Sequence, residues 1–233
     1  GKMPYKGFFT EAEALEEAKK MQAEGYDTFV RGVTAYSTLG YFSDSVLSSM
    51  LRYSDYDLVN TIIHETVHST IYIKNNADFN ERLAVFIGNK GTEMFYHKLE
   101  GAESPTVKKI ENENHDDFIF SQFITDEIKK LTAWYSEQIE KNESLREEKF
   151  MQIQLDFKNK ILPKMNNKNL NHSFLKTKMN NAYLGLYKTY MQDLSDFEKL
   201  YSKCNSDIIL FMQEIKKLEK SDNPEEDLKK LIL

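Results

Sequence analysis

The run His64-Glu65-Thr66-Val67-His68 constrains the fold of this chain more than any other stretch, because its two imidazoles can share one ion on only one kind of backbone. On an α-helix, side chains four residues apart are neighbours at roughly 6 Å, and both rings can converge on a zinc ion at about 2.0–2.1 Å. On a strand, at roughly 3.3 Å per residue, they stand about 13 Å apart and the site is lost. Local propensity argues the other way, since residues 61–73 are rich in β-branched side chains that favour extended backbone. Three features favour a helix: a length beyond that of a usual strand, Asp55 and Asp57 as N-terminal capping candidates, and Val59, Ile62, Ile63, Val67 and Ile71 at helical spacing. The segment is therefore read as an α-helix. Glu65 lies about 100° round the axis from His64, where it reaches a water on the ion rather than the ion itself.

A zinc site that does chemistry takes three protein ligands and leaves a fourth position open. The turn-forming stretch Lys74-Asn75-Asn76-Ala77 ends the first helix near Ile73, and a second helix begins at Asp78. The chain climbs about 7.5 Å from His68 to Ile73 and returns about 4.5 Å from Asp78 to Glu81, leaving a gap that a glutamate side chain spans. Glu81 then completes a one-zinc centre with His64 and His68. The same spacing also describes a capping box, in which Glu81 reaches back to the backbone of Asp78.

Asn80-Glu81-Arg82-Leu83-Ala84 resembles the N-E-x-x-A signature of the glutamate-type zincin peptidases, here after a shorter spacer of twelve residues from His68. A wider set resembles the bacterial family called putative aminopeptidases: residues 32–42 with their Ala35-Tyr36-Ser37-Thr38-Leu39-Gly40 block, the histidine run, Phe79-Asn80-Glu81, and Asn180-Asn181-Ala182 with Tyr190. The likeness runs from about Tyr5 to about Phe211. It implies a zincin-like lobe, a peptide substrate and aminopeptidase activity. Tyr190 aligns with a family tyrosine whose phenol could donate to an oxyanion; Tyr187 is its rival, and amphipathic packing is the alternative use for Tyr190. Asn180 and Asn181 would either bind substrate backbone or cap and join helices. Family members usually carry a further N-terminal segment, often with a lipoprotein-type export signal. The resemblance therefore implies a continuation before Gly1 and suggests the cell envelope or periplasm.

Period and punctuation give the rest of the organisation. Residues 10–25 read as a helix with Thr10 and Glu13 as a capping box and Gly25 as its stop. Residues 27–36 are the best strand candidate, followed by a short helix at 45–51. The free edge of such a strand, around Ala35, Tyr36, Ser37 and Thr38, would pair with an extended peptide. Beyond residues 101–105 the pattern is helical: 118–141, 143–162, 174–204 and 207–220, with a polar break at 163–171 and a charged tail after Ser221 that is expected to fray. The expected fold is α+β and predominantly α-helical. Residues 1–105 would form a zincin-like lobe with a small β element, and residues 106–233 a helical lobe completing one catalytic domain.

Composition excludes some functions and leaves others. Thirty-one basic and thirty-seven acidic residues give a net charge of −6, which argues against a nucleic-acid surface. The lone Cys204 rules out an internal disulfide and a cysteine-based metal cluster. No apolar run approaches the length of a membrane span. His97, His115 and His172 sit in polar surroundings without metal spacing and read as surface residues. The reading that unites the rest is zinc-assisted peptide hydrolysis, with His64, His68 and Glu81 on the metal and Glu65 as general base to the metal-activated water. Endopeptidase action is an alternative, since no motif must capture a free α-amino group. A helical binding or scaffold protein with a structural or decayed zinc site is the rival from another class, against which an intact Glu65 argues.

Overall fold

The computed structural model describes residues 6–32, 48, 50–52, 54–137, 142–167, 172–190 and 193–233, and every regular element among them is helical. The α-helices are α1 (Glu11–Ala23), α2 (Asp55–Thr70), α3 (Ala77–Glu100), α4 (Pro105–Glu137), α5 (Glu143–Asp156), α6 (His172–Lys176), α7 (Asn181–Tyr190), α8 (Ser195–Lys203), α9 (Ile208–Lys216) and α10 (Pro224–Ile232). The expected α+β class is therefore corrected to all-α.

The reason lies at residues 27–32, the described part of the expected strand. No ladder forms there; side chains take the place of a partner strand. The Thr28 carbonyl accepts from Asn180 Nδ2 at 3.0 Å, and the Asp27 carboxylate accepts from Arg146 and from the Asn181 N–H, each at 3.0 Å. Phe29 lies against the ring of Tyr183 at 4.8 Å between centroids. Alternating side chains can suggest a strand, but a strand needs another backbone to bond with. Here α5 and α7 satisfy the extended segment instead.

The described chain separates into two units, one of residues 48–111 and 193–233, the other of residues 6–32 and 112–190. Each is discontinuous, where the sequence reading places one boundary at 105/106. The second unit is centred on Phe120, Ile124, Phe150, Phe157, Phe174 and Tyr187, with Phe120 meeting Phe157, Phe174 and Tyr187 edge-on at 5.2–5.4 Å. Asp116 is wholly buried and accepts the backbone N–H groups of Asn166 and Asn167, each at 2.7 Å.

The first unit carries the histidine run. Its core joins Val67 and Ile71 from the end of α2, Phe79, Leu83, Ala84, Phe86 and Ile87 from α3, and Phe197, Leu200, Phe211, Ile215 and Leu228 from the C-terminal helices. Glycines let α2 and α3 approach: a Cβ on Gly91 would stand 3.0 Å from Ile63, and one on Gly88 3.2 Å from Asn60. The tail expected to fray is α10. Asn223 caps it, Pro224 opens it, acidic residues fill its first turn and basic ones its last, and Leu228 is fully buried. Among the described residues no helix is long and apolar enough to cross a membrane.

Candidate metal centre

A capping box starts α2, and Asp57, one of the two residues expected to cap it, takes part as the partner of Ser54. Ser54 is the cap: its hydroxyl accepts from the Asp57 N–H, while the Asp57 carboxylate accepts from Ser54. The helix overrides the β-branched propensity of residues 61–70 because Val67 becomes buried on its core face and Ile71 just beyond its end. His64 and His68 consequently occupy one face, with rings 4.9 Å apart and nearly perpendicular.

The turn from α2 to α3 is short and held from inside. Ile71 ends α2 in extended backbone, Ile73 is wholly buried, and Asn75 adopts a left-handed conformation with φ of 63°. Asn80, itself 2% exposed, grips Ile73 at both ends: its Oδ1 accepts the Ile73 N–H at 2.9 Å and its Nδ2 donates to the Ile73 carbonyl at 2.7 Å. Glu81 follows directly and is thereby aimed at the histidines. No side chain caps α3, which starts at Ala77 behind Asn76, so the capping box from Asp78 to Glu81 does not form.

Three donor atoms meet as a result. His64 Nε2 and His68 Nε2 are 3.2 Å apart, and Glu81 Oε2 lies 3.3 Å from the first and 3.6 Å from the second. A tetrahedral ion about 2.0–2.1 Å from each donor implies donor–donor edges of about 3.3–3.4 Å. The triangle is close to that size. Burial raises the Glu81 carboxyl, but hydrogen bonds from His64 and His68, with their charge, outweigh it and lower the carboxyl to about 2. Glu81 is an anion at neutral pH. Two nitrogens and one anionic oxygen with converging lone pairs are a donor set that suits a zinc-class ion and leaves a coordination position open. The far nitrogen of His68, Nδ1, is buried and has no hydrogen-bond partner among the described residues. Packing orients that ring, where a carboxylate or carbonyl often does.

Glu65 sits on α2 between the two histidines and is partly buried. The residue after Glu81 has a role the sequence reading missed. Arg82 is 6% exposed, lies over the Phe197 ring at 5.3 Å, donates to Glu225 at 2.6 Å and to the Asp193 carbonyl at 2.9 Å. It ties α3 to α8 and α10 one residue from the site. The signal for it was a charged residue beside the apolar face of a helix; the signal for Asn80 was its place before a candidate ligand.

The remaining expected residues fall into two groups. Ala35, Tyr36, Ser37 and Thr38 are outside the described residues. Asn180, Asn181 and Tyr190 belong to the second unit. Asn180 accepts from the Tyr183 N–H at 2.8 Å besides donating to Thr28, and Asn181 accepts from the Tyr135 hydroxyl at 3.0 Å. Both side chains join and cap local structure. Tyr190 is the last residue of α7, with its side chain outside the described set. Its rival Tyr187 is buried, with its hydroxyl 2.7 Å from that of Tyr183, and burial together with Tyr183 raises its phenol.

Across residues 1–231 the chain matches a family described as Putative aminopeptidase. No curated protein and no solved structure matches it.

Proposed function

The chain belongs to the Putative aminopeptidase family, and from that premise we propose that it is a zinc-dependent peptidase acting at His64, His68 and Glu81. The observation that carries this reading is the triangle of Nε2, Nε2 and Oε2 atoms with edges of 3.2, 3.3 and 3.6 Å. The chemistry that an ion supplies in such a donor set is Lewis acidity, towards water and towards a scissile carbonyl.

The side chains divide the remaining work. His64 and His68 donate through Nε2, and Glu81 contributes one negative charge through Oε2. Glu65 is the general base: its carboxylate takes a proton from the attacking water and passes it to the departing amine nitrogen. A purely structural metal site has no use for a carboxylate in that position, which favours hydrolysis over a bracing role. The family description supports removal of N-terminal residues as the form of hydrolysis.

Digestion of a mixed peptide library by the zinc-loaded protein, read by mass spectrometry, tests both levels. Peptides shortened stepwise from the amino end are the expected products. Internal cuts would move the assignment to an endopeptidase, and intact peptides in the presence of one bound zinc would overturn hydrolysis.

A further inference from the structure

We propose that Glu93, His97 and Glu111 form a second divalent-metal site, separate from the first and open to solvent. One ligand atom from each of the three lies within 4.8 Å of the other two. His97 Nε2 and Glu111 Oε1 are 3.5 Å apart. Glu93 and His97 are four residues apart on α3, so they share a helix face as His64 and His68 do on α2. Glu81 and Glu93 are twelve residues apart along α3, about 18 Å of helix, so one ion cannot serve both groups.

The backbone beneath this cluster is fixed. Tyr96 and Ile110, the neighbours of His97 and Glu111, are buried together with Val107 in one cluster. The connection between α3 and α4 is closed by the Gly101 N–H on the His97 carbonyl at 3.0 Å, the Ser104 N–H on the Gly101 carbonyl at 3.2 Å and the Val107 N–H on the Ser104 hydroxyl at 3.0 Å. Only side-chain torsions remain to be set. Contracting 4.8 Å to the roughly 3.3 Å edge of a metal site needs movement on the order of 1 Å, within the reach of partly exposed glutamates.

Electrostatics favours a cation at this place. Two carboxylates are gathered around one imidazole, and their negative charge would be offset by a bound cation. One imidazole nitrogen with two carboxylate oxygens suits zinc, cobalt, nickel or manganese better than calcium or magnesium, which prefer oxygen alone. His97 and Glu111 are 35% and 49% exposed, so water competes for the ligand atoms. The expected affinity is therefore about 10–100-fold below that of the buried triad.

Metal-free protein titrated with zinc by equilibrium dialysis tests the proposal without reference to catalysis. Two classes of site are expected, the tighter lost in His64→Ala and the weaker lost in His97→Gln. Glu111→Gln, an isosteric change on a second helix, should also abolish the weaker class while circular dichroism shows an unchanged helix content. A single class in the wild type, or a weaker class that survives both His97→Gln and Glu111→Gln, would overturn the second site and leave the first untouched. Persistence of the tight class in His64→Ala would count against the proposed catalytic centre instead.

Discussion

Two carboxylates near the histidines differ in what they can lose. Glu65→Gln keeps size and helix propensity but removes basicity, so the variant should bind zinc like the wild type and lose about 10²–10⁴ in turnover. Steady-state kinetics beside metal content checks this; wild-type turnover would exclude Glu65 as base. Glu81→Gln removes the anion that faces both imidazoles at 3.3 and 3.6 Å. Since Glu81 caps nothing, the helix should stand while zinc affinity falls steeply, as titration against a competing chelator would read. Unchanged affinity would remove the third ligand. The same pair explains why the site could be found in the chain at all: its ligands are close in sequence, and helix geometry alone sets two of them on one face.

At the scale of elements, the clamp by Asn80 turns two adjacent helices into a device of fixed angle. Asn80→Ala should orphan the buried Ile73 N–H, cost about 1–3 kcal/mol and weaken zinc binding at the same time. Chemical denaturation and the chelator titration should report both losses; a stability loss without an affinity loss would reduce Asn80 to an ordinary buried amide. What could be read in the chain at this scale was what is local. Thr10 and Glu13 form the expected box, Gly25 stops α1 at a φ of 86°, and α5 starts at Glu143, where a helix is expected to begin. The strand failed because its fate rests on Arg146, Asn180 and Asn181, more than a hundred residues away. The tail failed because its charges hid an apolar stripe, Leu228, Leu231 and Ile232, at helical spacing. Leu228→Ala should accordingly cost about 2–5 kcal/mol in thermal or chemical unfolding, the penalty of a core cavity; a neutral effect would return α10 to a loose tail.

For the whole molecule, acidity sets the pH dependence of stability. On α4, burial, with the charges of Glu113 and Asp116 beside it, raises the Asp117 carboxyl to about 7. The unfolded chain releases that proton near pH 3.9, about three units earlier. Between those values the unfolded state binds fewer protons, so this group makes the fold progressively less stable as pH rises from about 4 to about 7. Asp117→Asn should therefore stabilise the protein at pH 7 and above and change little below pH 4, as unfolding midpoints across that range would show. An unaltered pH profile would mean that Asp117 titrates as an ordinary carboxyl. The donor triangle answers to another property of the molecule, the nearness of its parts along the chain. All three donors fall within residues 64–81, so gathering them closes one loop of thirteen residues, at an entropy cost that grows only as the logarithm of loop length, about 2.3 kcal/mol beyond a constant. Such a centre can assemble as soon as one hairpin of helices has formed. If these three donors hold an ion as proposed, its capture requires this hairpin of helices rather than the distant C-terminal packing.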